Sequence, residues 1–461
     1  MKKLIIMVIS QLTFCSILAA AAAKIPNLIE SVSVNKNMLR IKANPEFHQQ
    51  YLTDHFFAEY DKDIDLNKLD FSLVTIPFIM NVAPIVWISD KQYSVESMDQ
   101  DLYNALNVIQ KVFQAFYQSK SWSGKIVPKK LVVNKVQKKP NTVATLFSHG
   151  LDAVYTSLAN RDKKQVLITV CGGDIGLTKK KMWEKVQEQC KKFASIHGHT
   201  NAFVRSNFNT FRNFVYLRDL SPELNRNWFG WTSQSLSYTS LAAPIAYLKG
   251  CSHVLLASTR TSDNPYPYGT HPVIDNNIAY AGMYVDHDGP EANRIDKIRE
   301  IAHICTTHAL PKPMLRVCWG KHPLGGNCNE CEKCFRTIVE LLVEGQMPQD
   351  YGFDISLEAA IKNARAKAPG KALDSGLMWH WKCIQKGAQD SLTKQLVAFE
   401  NPDLKNFVHW IADLDLKQFK KKGFKVRTAE EKEKHALLWK KAANRTFTTN
   451  DLTILFNKQV H

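Results

Sequence analysis

The chain has 461 residues, 45% hydrophobic and 22% charged, which excludes a disordered or fibrous protein and allows a large core with appendages. Lysine and arginine total 60 against 43 aspartates and glutamates, a formal charge of +17. Such a surface attracts polyanions (nucleotides, nucleic acid, acidic membrane) or is simply a lysine-rich exterior, and no aromatic-and-arginine signature of RNA binding stands beside it.

Residues 1–23 read as a secretory signal. Met1-Lys2-Lys3 is a basic start, Leu4 to Ala23 is apolar apart from a few hydroxyls, Gln11 and Cys15, and five alanines close it. Cleavage is expected near Ala21 to Ala23, with export to the periplasm or exterior. Nothing later is long and apolar enough to span a membrane. Residues 24–140 read as a small α+β lead-in. Met38–Ile41, Phe71–Ile76 and Pro84–Ile88 are expected as strands. Met98 to Tyr117 is expected as a helix with Leu102, Leu106, Ile109, Val112 and Phe113 on one face.

From 141 to 345 strands and helices alternate. Apolar segments at 142–147, 165–170, 201–205 and 254–257 read as strands, and 151–159, 180–197 and 240–248 as helices. The pattern predicts an α/β fold, a Rossmann-like parallel sheet with helices on both faces and ligands at the carboxyl ends of the strands. Residues 346–461 read as a basic helical region. There Trp379, Trp381, Trp410 and Trp439 fill helix contacts, and Lys420-Lys421-Lys422 is a solvated turn.

The first strand of this region runs into Ser148-His149-Gly150-Leu151-Asp152-Ala153, after which a helix begins. A tight strand-to-helix turn leaves free backbone amides at the helix start, and these bind phosphate. Ser148 can add a hydroxyl, and Asp152 can hold a metal ion on the phosphates. A plain helix cap would leave the same trace. Asp286-His287-Asp288-Gly289 with Glu291 and Arg294 is a second polar cluster. It is either an acid–base and magnesium site or, the reading preferred here, a loop and cap.

Four of the ten cysteines lie within 17 residues: Cys318, then Cys328, Cys331 and Cys334 at Cys-x-x-Cys spacing. Four thiolates can enclose zinc tetrahedrally, with no open position, so the site is expected to be structural. An iron–sulfur cluster or two disulfides remain alternatives. The cluster points to a metal while the amino terminus points to export, where evenly used cysteine pairs would be expected.

Phe-Ser-His-Gly-Leu-Asp-Ala resembles the Ser-Gly-Gly-x-Asp-Ser loop of the PP-loop ATP pyrophosphatases, which include asparagine synthetase, the tRNA thiolases and 7-cyano-7-deazaguanine synthase. His149 stands for the first glycine and Ala153 for the second serine. The run Arg-Val-Cys-Trp…Asn-Cys-Asn-Glu-Cys-Glu-Lys-Cys-Phe-Arg-Thr resembles the zinc knuckle of the last of these and its uncharacterised relatives. The two motifs stand in the same order, about 170 residues apart, and the likeness covers about 140 to 345. It implies an adenine nucleotide alpha hydrolase-like fold with a knuckle at 318–334. It further implies ATP with magnesium at Ser148, His149, Gly150, Leu151 and Asp152, and adenosine near Gly172 and Asp174, after the second strand. Other polar loop groups expected at the crevice are Arg205-Ser206-Asn207, Ser258-Thr259-Arg260-Thr261, Gly269-Thr270-His271-Pro272 and Asp275. Arg205 and Arg260 are the expected phosphate or carboxylate clamps, since guanidinium pairs with those groups in a bidentate manner.

The activity so implied is ATP-dependent adenylation of a carboxylate or similar oxygen on a small-molecule acceptor, followed by transfer to an amine or ammonia. Catalysis would fall to Asp152, Arg205 and Arg260. The altered loop and the export signal favour an alternative, a non-catalytic protein that binds a nucleotide-like ligand or a partner. A nucleic-acid-modifying role, suggested by the charge, ranks third.

Overall fold

The computed structural model describes residues 25–456 apart from 221–226, 266, 320, 321, 323, 324, 368–372, 374, 395–399 and 420–427. The expected signal at 1–23 and the turn at Lys420-Lys421-Lys422 lie outside the described residues. Among the described residues no helix is long and apolar enough to cross a membrane.

Nine strands make one sheet: β1 (Ile29–Asn35), β2 (Met38–Ala43), β3 (Phe56–Tyr60), β4 (Thr142–Leu146), β5 (Lys164–Cys171), β6 (Thr200–Ser206), β7 (His253–Ala257), β8 (Ala279–Tyr280) and β9 (Met283–Asp288). Their spatial order is β1-β2-β3-β6-β5-β4-β7-β9-β8. The five central strands are mutually parallel. At one edge β3, β2 and β1 add on antiparallel, and at the other β8 does the same. The protein is thus a mixed α/β structure, and the strands of the lead-in extend the same sheet that carries the later motifs.

The parallel strands stand in the order third, second, first, fourth, fifth along the chain. Connections therefore leave β4 and β7 in opposite directions, and the loops beyond their carboxyl ends diverge into a crevice. The central strands are apolar because both faces are covered. Val166, Ile168, Ala202 and Val204 point into one core, while Leu167 and Phe203, between them in register, point into a second. The first core is filled by α1 (Ile76–Ser89), α2 (Gln100–Phe116) and α5 (Gln234–Lys249). The second is filled by α3 (Leu151–Ala159), α4 (Lys180–His197), α6 (Arg294–Thr307) and α7 (Glu332–Val343), with α8 (Leu357–Lys367), α9 (Ser375–Thr393) and α10 (Pro402–Ala412) beyond them. The last long helix, α11 (Ala429–Ala443), returns to the first core through Leu438 and Ala442. Trp381 and Trp439 are buried in helix contacts, as expected, and Trp410 packs on Phe407.

Three expectations change. Phe71–Ile76 and Pro84–Ile88 are not strands: the first contributes a short helix, Phe71–Val74, and the second lies inside α1. Every residue from Ile76 to Ile88 is buried, so α1 has no polar face, and a uniformly apolar run carries no period to separate a buried helix from a strand. Asp286-His287-Asp288 is not a loop and cap but the end of β9. The cap of α6 is Asn293, in a reciprocal capping box with Asp296.

Candidate functional site

β4 stops at Leu146 and α3 starts at Leu151, so the phosphate-loop candidate is a four-residue turn at the switch point of the sheet. Gly150 is the N-cap, and no side chain caps the first amides of α3. They face a cavity of about 220 Å³ whose walls include Ser148, Gly150, Leu151 and Asp152. The preceding residue, His149, has φ of 61°, the left-handed conformation that glycine adopts most easily. Arg316 clamps the turn. Its backbone N–H donates to the His149 carbonyl at 2.7 Å and its Nε to the Ser148 carbonyl at 3.3 Å.

His149 neither crowds the cavity nor charges it. Its ring is buried and packs between Phe147 and Phe193, at 5.4 and 5.7 Å. Burial, then the Arg316 charge, pushes its pKa down to about 4 from an ordinary 6.5. Between those values the unfolded chain binds a proton that the folded chain refuses. The contribution of a neutral His149 is therefore complete above pH 6.5 and is lost as the pH falls toward 4. Wild-type stability is expected to drop from pH 7 to pH 5 by about 2 kcal/mol more than that of His149→Asn, which cannot titrate and tolerates the left-handed backbone. Urea unfolding of the two proteins at both pH values would measure the difference, and equal slopes would refute it.

Asp152 lies in the first turn of α3, and both of its oxygens are held by cations. Oδ1 accepts from Lys297 at 3.1 Å, and Oδ2 from Arg294 at 3.4 Å and from the Thr259 hydroxyl at 3.3 Å. Burial alone would raise the Asp152 carboxyl; Lys297 and Arg294 outweigh it and hold it below the ordinary value. Lys297 is fully buried and also donates to the Ser258 carbonyl. Arg294, buried as well, grips both Glu340 oxygens through Nε and the Thr337 hydroxyl through Nη2. The carboxylate expected to carry magnesium is instead the middle of a buried clasp joining α3, α6 and α7.

The open polar groups lie across the cavity. Arg316 and Lys333 line it, and no carboxylate among the described residues pairs with either. Burial and the Arg294 charge push the Lys333 ammonium below the usual lysine value against the pull of Asp174. Asp174, exposed at the mouth, and the Tyr238 hydroxyl also line the cavity with no hydrogen-bond partner among the described residues. So does Gln234, whose Oε1 is buried and unpaired. Buried polar groups almost always have partners. Gln234 Oε1 is the exception here, and together with two cations and an exposed carboxylate at a helix start and a strand-order reversal it marks a cavity suited to a polar ligand.

Three expected site residues are elsewhere. Arg205 is ion-paired with Glu59 on the antiparallel neighbour β3 at 2.7 Å and does not line the cavity. Its strand end points a guanidinium at the next strand, which supplies the acid. Arg260 does not line the cavity either. Its guanidinium lies over Tyr268, 5.5 Å from the ring centre, while its neighbour Thr259 forms the wall. Gly172 serves the backbone: with φ of 119° it passes so close to β6 that an added Cβ would sit 1.7 Å from the Ser206 carbonyl oxygen. The cations that do line the cavity are Arg294, Arg316 and Lys333, and the last two lie within the cysteine-rich run, at positions the strand-end rule does not inspect.

The four cysteine sulfurs of Cys318, Cys328, Cys331 and Cys334 all lie within 4.8 Å of one another and could hold a metal ion such as zinc. A tetrahedron with metal–sulfur bonds of about 2.3 Å has sulfur–sulfur edges of about 3.8 Å. The Cys328–Cys334 pair, at 4.0 Å, is close to that edge. The N–H of Cys331 points at the Cys328 sulfur at 3.3 Å and that of Cys334 at the Cys331 sulfur at 3.5 Å, which steadies thiolates. Burial and the adjacent sulfurs push the Cys334 thiol up. Only a bound cation would let all four sulfurs ionise together. Cys331 is also the N-cap of α7, and Cys318 lines the cavity, so the cysteine site and the phosphate-loop turn share a wall.

Comparison with protein-family models, with curated proteins and with solved structures finds no match.

Proposed function

We propose that the chain is an ATP-dependent adenylating enzyme on a Rossmann-like, PP-loop type scaffold, with a structural zinc at the four cysteines. The observation that carries this reading is the convergence of the free α3 amides, Arg316 and Lys333 on one cavity at the carboxyl ends of β4, β5 and β7. Triphosphate would lie on the amides, its charge matched by Arg316 and Lys333. Asp174 is the one carboxylate at the cavity left open for magnesium, and it takes the role the sequence suggested for Asp152. An acceptor oxygen would attack the α-phosphorus in line, the bond to the bridging oxygen would break, and pyrophosphate would leave with its negative charge held by the cations. An amine or ammonia would then displace AMP.

A second reading is favoured by one observation, the occupation of both Asp152 oxygens. If no dication can enter beside the loop, the same cavity binds a nucleotide-like anion without turning it over. Calorimetry with ATP and an assay of pyrophosphate release, both with magnesium, separate the two. Lys333→Met is expected to weaken ATP binding about 10- to 100-fold, the worth of one charged contact to phosphate. Unchanged affinity in Lys333→Met would remove the phosphate assignment. ATP binding without pyrophosphate release would select the second reading.

A further inference from the structure

The cavity wall continues through Thr270 into a buried polar chain that the phosphate assignment does not use. The Thr270 hydroxyl donates to Oδ2 of Asp275 at 2.9 Å, and the same oxygen accepts from Nδ1 of His287 at 2.6 Å. Asp275 and His287 are buried, their side chains 0% and 1% exposed. Asp275 ends the short helix Pro272–Asp275, and His287 lies near the carboxyl end of β9, so the chain of bonds runs from the crevice into the interior. Trp439 seals its far side with its ring edge-on to His287 at 5.6 Å. The backbone N–H of His287 donates to the Asn276 side chain at 2.8 Å, which fixes the ring's position. A carboxylate only accepts, so the hydrogen bond is donated by Nδ1, which leaves Nε2 as the ring's second nitrogen. That Nε2 and Oδ1 of Asp275 are both buried without a hydrogen-bond partner. Orphaned atoms of this kind call for an explanation beyond stability, because each leaves desolvation uncompensated.

We propose that Thr270, Asp275 and His287 form a proton-accepting relay that opens into the cavity through the Thr270 hydroxyl. It rests on the adenylation reading of that cavity. When a nucleophile attacks, its O–H or N–H proton passes to Oγ1 of Thr270, and the hydroxyl's own proton passes to Oδ2 of Asp275. The carboxylate becomes a neutral acid, His287 keeps its Nδ1 proton and holds Asp275 in place, and the proton returns to water along the same path after the product leaves. No electron changes hands and no further reactant is needed. Thr270 is the catalytic residue, since it meets the ligand; Asp275 takes the proton through it, and His287 is a positioning residue.

The test uses Thr270→Val and Thr270→Ser in the full chain, with magnesium and ATP as substrate and water or hydroxylamine as nucleophile. ATP affinity is measured separately by calorimetry. Valine keeps the branched shape of threonine and puts a methyl group in place of the hydroxyl, so the fold is expected to persist while the bond to Asp275 is lost. Thr270→Val is expected to lower kcat of pyrophosphate release by about 100-fold, the low end for loss of acid–base assistance, with KM for ATP little changed. Thr270→Ser is expected to recover most of the rate. A Thr270→Val enzyme with near wild-type kcat, or one that loses only in KM, overturns the relay and leaves the adenylation reading intact. Wild-type protein that binds no ATP overturns both.

Discussion

Cys334→Ser is expected to fail to hold zinc and to melt well below the wild type, and any folded fraction is expected to have lost affinity for ATP. Cys334 is fully buried and stands in the first turn of α7. Its loss leaves three sulfurs to hold a cation whose tetrahedral binding in small domains amounts to about 10–16 kcal/mol. Part of that is recovered by water as a fourth ligand, so the loss to the whole protein is expected at several kcal/mol, enough to unfold a domain of ordinary stability. The effect on the ligand follows from position. Lys333 lies between Cys331 and Cys334, Arg316 is two residues before Cys318, and Asn327 ties the two arms together by accepting from the Val317 N–H and donating to the Leu315 carbonyl. Removing the metal is expected to release Arg316 and Lys333 and, with Arg316, the clamp on the phosphate-loop turn. Elemental analysis, thermal unfolding with and without chelator, and ATP calorimetry would test each step. A Cys334→Ser protein that melts with the wild type and still binds ATP would separate the two sites.

This dependence explains which parts of the site could be read from the sequence. The turn at Ser148-His149-Gly150 and the cysteine cluster are local patterns, fixed by a strand, a left-handed residue and short spacings, and both stand out in the chain. Arg316 and Lys333 act at a distance of some 170 residues in sequence from the loop they serve. Only the shared wall brings them there, although both lie inside the motif that marked the knuckle. Arg205 and Arg260 were expected at the cavity because each follows a strand. The rule fixes the end of the strand but not the direction of the side chain, and Glu59 and Tyr268 supply closer partners. The same limit hides β1, β3 and β9, which are short or carry charged residues, while the segment Pro84–Ile88 of the buried α1 reads as a strand. Relations within one element were legible; relations set by the pairing order of the sheet were not.

Arg294→Met is expected to destabilise the fold by about 3 kcal/mol, the low end of the range for breaking a buried ion pair by removing one partner. Arg294 and Glu340 are 3% and 1% exposed, so little of their interaction is screened by water. Without the guanidinium, Glu340 keeps only Arg336, at 3.4 Å, and Asp152 keeps Lys297. These remaining cations are why the loss should not reach the top of the range. The charge left on Glu340, more than the missing attraction, is what destabilises. Arg294→Met with Glu340→Leu should therefore be more stable than Arg294→Met alone, because the second change removes the stranded carboxylate. Urea unfolding of wild type, both single variants and the double variant completes the cycle. A positive coupling of 1 kcal/mol or more, roughly, is expected for groups in direct contact. Additive losses would mean that Glu340 is satisfied by Arg336 alone. In that case Arg294 would be held in the core for its contact with Asp152, and the double variant should then fail in ATP binding and carry the full sum of the two losses.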